Sequence, residues 1–278
     1  MEDKNVKSVL SECGFSFKKQ FGQNFITDDA LLDRIVEGSG AEGCFVVEIG
    51  CGAGTLTRTL ARKASFVRGY EIDKSLRPVL SRTLAGVENA EVVFADFLKL
   101  RLDELEKNMP PYRVVANLPY YITTPLIMMI AEHSQKCLSM TVMVQEEVAD
   151  RLCAEAGTPE YGAITASVAL CATCHKVMRV GREKFFPSPN VDSAVVRIDF
   201  ERGRLNVADE NMYKRTVRAA FGSRRKTLEN NLCKEFSLSR EQVREVFAAC
   251  DIDPMTRGEK LSPEQFAALS AQLAKIIK

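Results

Sequence analysis

The sequence predicts an α/β fold: a doubly wound parallel sheet followed by a small all-helical C-terminal domain. Three observations carry this expectation. From residue 44 to 154, apolar runs of strand length alternate with helix-length amphipathic segments. The first run, Cys44–Ile49, opens directly into the glycine-rich turn Gly50-Cys51-Gly52-Ala53-Gly54. Beyond about residue 200 only helical periodicity remains, so the expected domains are 1–200 and 201–278.

Composition sets the frame. The 278 residues are 46% hydrophobic and 27% charged, as in ordinary globular domains, with a net charge of +1. From Glu201 to Lys278 there are 15 basic and 11 acidic residues, so the tail is basic relative to the body. No apolar run approaches the roughly 18 residues that span a bilayer. Nine cysteines form no even framework, and the N-terminus has no signal-peptide core. A soluble cytoplasmic protein is expected, with no membrane association.

Residues 1–12 read as a short polar helix or arm. Phe15 to Ile26 interleaves four phenylalanines with two lysines and three amides. That suits either an arm stapled to the core or a lid over a ligand that also touches nucleic acid. Thr27 or Asp28 caps a helix whose apolar face is Leu31, Leu32, Ile35 and Val36. Cys44–Ile49 is a strand, and Thr55–Lys63 a helix. Glycine serves where backbone turns tightly and approaches a ligand. The G-x-G-x-G spacing, with Glu48 just before it, disfavours a dinucleotide pyrophosphate. It suits a ligand with a positive end, such as the amino-acid part of S-adenosylmethionine.

Phe66–Asp73 is the next strand, and Glu71 near its end is either a solvated strand-end acid or, with the glycine turn upstream, placed to accept both hydroxyls of a ribose. A helix over Ser75–Leu84 and a strand over Glu91–Phe94 lead to Asp96, placed to accept from the exocyclic amine of an adenine. Phe97 lies against that ring or in the core. Val114–Ala116 is a buried strand that stops at Asn117-Leu118-Pro119-Tyr120, because Pro119 has no N–H for the ladder. Ligands bind beyond the carboxyl ends of such strands. An ordinary turn with Asn117 capping and Tyr120 packing would read the same.

Helices over Pro125–Ala131 and Glu146–Ala154 flank a strand at Leu138–Val144. Tyr161–Cys174 reads as a helix or long apolar element, Lys176–Val180 as a strand. Cys171-Ala172-Thr173-Cys174-His175 has a haem-attachment spacing, but no export signal accompanies it, and no second C-x-x-C completes a zinc site. Phe185–Ser193 is a proline-rich aromatic loop before a last strand, Ala194–Ile198. Among the C-terminal helices, Lys214, Arg215, Arg218, Arg224, Arg225 and Lys226 fall within 13 residues holding no acid. That run is either a solvated face or a phosphate-binding surface. Ser239 with Gln242, and Ser262 with Gln265, have capping-box spacing.

Taken together, the chain resembles the KsgA (RsmA) family of ribosomal RNA adenine dimethyltransferases nearly end to end. The motifs are Phe21–Ile26, Val47–Gly52, Asn117–Tyr120, Phe185–Ser193, Phe221–Leu228, and Asp251–Pro254 with Arg257 and Leu261-Ser262. The chain departs from the family pattern at Ile26, Cys51 and Ser188. The resemblance implies a Rossmann-like S-adenosylmethionine-dependent methyltransferase domain with a helical RNA-binding domain. It implies two methylations at N6 of each of two adjacent adenines in a hairpin near the 3′ end of small-subunit rRNA. Asn24, Ile26, Gly50, Gly52, Glu71, Asp96 and Asn117 would bind the cofactor, leaving S-adenosylhomocysteine as product. Asn117, Leu118, Pro119 and Tyr120 would be catalytic, with Tyr120 and Phe185 stacking on the target base. The six basic residues would contact RNA. The partner would be the rRNA or the assembling small subunit, and the enzyme a monomer with no metal. Rival readings are a large-subunit rRNA adenine methyltransferase, a non-catalytic ribosome-assembly or transcription factor, and, more distantly, a nicotinamide dehydrogenase.

Overall fold

A computed structural model describes residues 6–18, 22–223 and 225–277. The chain divides into two compact units, Met1–Ala149 with His175–Phe200, and Asp150–Cys174 with Glu201–Lys278. In chain order the elements are α1 (Val6–Glu12), β1 (Phe25–Ile26), α2 (Asp29–Ser39), β2 (Phe45–Ile49), α3 (Thr55–Ala61), β3 (Phe66–Glu71), α4 (Arg77–Thr83), β4 (Ala90–Phe94) and α5 (Leu102–Leu105). Then follow β5 (Tyr112–Asn117), α6 (Tyr120–His133), β6 (Cys137–Gln145), α7 (Glu146–Leu152), α8 (Ala163–Val168), β7 (Ala172–Val180), β8 (Phe185–Phe186) and β9 (Ser193–Phe200). Helices α9 (Glu210–Ala220), α10 (Leu228–Phe236), α11 (Arg240–Ala249) and α12 (Pro263–Ile276) complete the chain.

The first unit is built on a seven-stranded sheet of order β4-β3-β2-β5-β6-β9-β7. Strands β4 through β6 are parallel, as the alternation of strands and helices predicts. Strand β9 enters antiparallel to β6, with Ser193 opposite Gln145. The strand order reverses between β2 and β5, which opens a crevice at their carboxyl ends. Strands β2 and β5 bury almost every side chain, hence their continuous Val-rich runs.

One sheet face is covered by α2 and α3, through Leu32, Ile35 and Leu60 against Val46, Val67 and Val115. The Asp28 carboxylate caps α2 by accepting the Leu31 N–H at 2.9 Å. Helix α1 is not wholly polar: Val6, Val9 and Leu10 bury against Leu76, Val79 and Leu80. Helix α6 starts at Tyr120, earlier than its periodicity indicates, and tolerates Pro125 near its N-terminus. Pro125 has no N–H to give the Tyr121 carbonyl four residues before it.

The second unit has its own core, in which Tyr213, Leu232, Phe247 and Phe266 are fully buried. Residues 150–174 belong here rather than with the sheet, so its boundaries differ from the expected 201–278. Tyr161, Ala166 and Leu170 bury into the helical core, and the Tyr213 hydroxyl donates to the Ala166 carbonyl at 2.8 Å. The apolar run 161–174 is also not one element: α8 ends at Val168 and β7 starts at Ala172. Ser239 and Ser262 form the two expected capping boxes.

Candidate active site

A cavity of about 360 Å³ opens at the strand-order reversal. Its floor is the turn after β2. Gly50 and Gly52 have φ of +80° and +53°, the left-handed region that glycine enters without strain. Side chains would not fit there: a Cβ on Gly50 would lie 2.6 Å from the Leu118 Cδ2, and one on Gly52 2.8 Å from the Phe25 ring.

Three acids line one side. Glu71, at the end of β3, accepts the Gly52 N–H at 2.8 Å on one oxygen and the Asp73 N–H at 2.8 Å on the other. Burial raises its pKa against the opposing pull of these backbone donors. Glu48, one residue from the end of β2, is fully buried, and neither carboxyl oxygen has a hydrogen-bond partner. Burial pushes its pKa up to about 8, reinforced by the charge of Glu71. Asp96 follows β4 and accepts the Leu98 N–H at 3.2 Å, which fixes its carboxylate at the rim. Phe97 is buried edge-on against Tyr70, with ring centroids 5.0 Å apart.

The opposite side is neutral. Asn117 ends β5, and its Nδ2 donates to the Asn24 carbonyl at 3.2 Å. That bond consumes one amide donor and leaves Oδ1 as an acceptor in the cavity wall. Leu118 and Pro119 follow, beyond the last ladder pair of β5 with β6, Asn117 opposite Met143. Tyr120 is half-buried, and its hydroxyl shares a 2.7 Å hydrogen bond with Ser193 at the start of β9. Phe185 lies in β8, paired with Ile26 of β1, and both are buried cavity walls.

The N-terminal segment is tied over the end of β3. Lys18 donates to Asp73 at 2.7 Å and Gln23 to its other oxygen at 3.0 Å. Burial works against ionisation of Asp73, but Lys18, Ser75 and Gln23 outweigh it and hold its pKa below the usual value.

The structure thus brings Asn24, Ile26, Gly50, Gly52, Glu71 and Asp96 to the same cavity as Asn117, Leu118, Pro119, Tyr120 and Phe185. Asp73, Ser193 and Tyr121 were not singled out by sequence. Only the E-x-D spacing after β3 hints at Asp73; the Tyr120–Ser193 contact spans 73 residues and leaves no local signal. The basic run lies in the second unit. Lys214 and Arg215 are there paired with Glu210 and Glu235, acids outside the run itself. Arg218, Arg225 and Lys226 are exposed, while Arg224 lies outside the described residues, as does Phe21 of the N-terminal motif. Among the described residues no three His, Cys, Asp or Glu side chains cluster as metal ligands, and no helix is long and apolar enough to cross a membrane.

Comparison with known proteins adds to this geometry. Residues 14–275 match the model of the family described as ribosomal RNA adenine dimethylase. The ribosomal RNA small subunit methyltransferase A of Alkaliphilus oremlandii (strain OhILAs) is 41% identical over 278 residues, covering 98% of this chain and 97% of the relative. Among solved structures, a dimethyladenosine transferase from Plasmodium falciparum superposes with a TM-score of 0.77 at 25% identity, over 90% of this chain and 98% of that one. The 23S rRNA methyltransferase ErmE gives a TM-score of 0.72 at 28% identity, over 90% of this chain and 99% of that one.

Proposed function

The chain belongs to the ribosomal RNA adenine dimethylase family, and from this premise we infer that it transfers methyl groups from S-adenosylmethionine to N6 of two adjacent adenosines in a hairpin near the 3′ end of small-subunit (16S) rRNA during ribosome biogenesis. The cavity fits that cofactor. The glycine turn leaves backbone room, Glu71 and Asp96 offer acceptors for a ribose and an adenine amine, and Glu48, whose oxygens have no partner, would ionise against a cationic amino end. Asn24 and Ile26 close the cavity from the N-terminal side.

When bound, S-adenosylmethionine supplies a methyl group carried on a positively charged sulfur. The protein's own task is to prepare the acceptor. An adenine N6 amine is a weak nucleophile, because its lone pair is delocalised into the ring. In the first transfer Asn117 Oδ1 and the Leu118 carbonyl each accept one N6–H, and in the second one of them accepts the single N6–H that remains, favouring a pyramidal nitrogen with its lone pair exposed. The methylated nitrogen is cationic and loses its acidic proton to solvent, so a strong general base is unnecessary. Pro119 keeps the Leu118 carbonyl out of the sheet ladder. Flipping the base out of a helix costs a few kcal/mol; stacking on Tyr120, with Phe185 in the wall behind, returns about 1–3 kcal/mol per aromatic. Arg218, Arg225 and Lys226 of the second unit hold phosphates, and the enzyme works as a cytoplasmic monomer. Nine free cysteines suit a reducing compartment.

The Asn117–Asn24 hydrogen bond carries the reading, because it fixes the amide with its oxygen available to an N6–H. Labelled S-adenosylmethionine should mark two adjacent adenosines near the 3′ end of small-subunit rRNA in under-methylated subunits. Label confined to large-subunit RNA, or none at all, would overturn it.

A further inference from the structure

The residue after Tyr120 is not used by the reaction as described. Tyr121 lines the mouth of the same cavity, yet its side chain is 65% exposed, more than any other aromatic among the described residues. Residues 120 and 121 open α6, and consecutive positions on a helix point about 100° apart. Tyr120 therefore turns inward to Ser193 while Tyr121 turns to the rim. Gly22 lies beside the same rim: a Cβ there would lie 3.2 Å from Pro119 Cβ and 3.8 Å from Tyr121 Cε1. A tyrosine ring has only two rotatable bonds to fix, so a flat partner gains a large contact area at little cost in rotamer entropy.

Substrate connectivity says what that is. A base inserted in the cavity remains linked through its sugar and phosphates to the nucleotides on either side, so a neighbouring base must pass the rim. A single-stranded base has an apolar face that stacks on aromatic rings regardless of its identity. We propose that Tyr121 is a second base platform, stacking the unpaired purine adjacent to the one held by Tyr120. This rests on the reading of the cavity as an rRNA adenine methylation site. In that substrate the adjacent purine is the second adenosine, so Tyr121 holds one target while the other is modified.

The test compares wild type, Tyr121→Phe and Tyr121→Ala on under-methylated small subunits, measuring kinetics and the share of label at each adenosine. Tyr121→Ala should raise KM for the subunit about 5- to 100-fold, leave KM for S-adenosylmethionine unchanged, and skew the label toward one adenosine. Tyr121→Phe, which keeps the ring, should behave as wild type. An unchanged subunit KM and label ratio in Tyr121→Ala would overturn the proposal. So would a rise in cofactor KM alone, which would assign the ring to the N-terminal segment beside Gly22. If wild type itself places no label on the subunit, the reading of the site has failed rather than the role of Tyr121.

Discussion

The two sides of the cavity are chemical opposites. The side formed at the ends of β2, β3 and β4 carries three acids, Glu48, Glu71 and Asp96. The side formed by β5, α6 and β8 presents an amide, a proline and aromatic rings. Acids suit a ligand that arrives with positive charge and hydroxyl donors; neutral acceptors suit an amine whose lone pair has to be steered. A carboxylate at position 117 would add a fourth acid to the cavity, facing the three opposite. Asn keeps position 117 neutral while still offering an acceptor oxygen.

Mutations that exchange or remove one side's chemistry test this division. Asn117→Ala should have the largest effect, lowering kcat by about 10²–10³ with cofactor KM little changed, as read by steady-state kinetics. Retained turnover in Asn117→Asp would break the contrast altogether. Glu71→Ala should do the reverse, raising cofactor KM by about 10- to 100-fold through loss of charge-assisted hydrogen bonds while kcat at saturation survives. A kcat loss as large as that of Asn117→Ala would mean that the two sides do not divide the work. Tyr120→Ala should cost about 5- to 100-fold in kcat/KM. Tyr120→Phe, which loses only the bond to Ser193, should stay within a few-fold.

The smallest effect concerns Glu48. Its folded pKa, about 8, lies above the unfolded value near 4.5. Between those values the native state binds the extra proton, so native stability falls as pH rises. Glu48→Gln removes this dependence. Its melting temperature should match that of wild type near pH 5 and exceed it by a few degrees near pH 8. A constant offset across that range would show that Glu48 is already ionised, and the acidic side more polar than its burial indicates.

Much of this arrangement is legible in the sequence, because it is local. Gly50 and Gly52 follow a strand and precede a helix; Glu71, Asp96 and Asn117 each sit at or just past a strand end, where the topology puts ligands. What escapes is non-local. Asp73 receives Lys18 from 55 residues away, and nothing around either residue signals the pairing. The apolar character of 161–174 shows that the segment is buried but not in which core, and the structure buries Tyr161, Ala166 and Leu170 in the helical one. The absence of acid between Lys214 and Lys226 did not leave all its cations free, since Glu210 and Glu235 approach from a preceding helical turn and from another helix.

The reversed direction of β9 has a further consequence. Strands β2, β3, β4 and β5 deliver to the cavity the residues that follow them, whereas β9, running the other way, is preceded by the segment that brings in Phe185. The loop from Phe185 to Ser193 therefore reaches the acceptor side without being part of any strand-to-helix connection that shapes the acidic side. Only its first residue, Phe185, lines the cavity, and it pairs there with Ile26 of β1. The antiparallel entry of β9 thus lets a connection outside the strand-to-helix turns form part of the cavity wall.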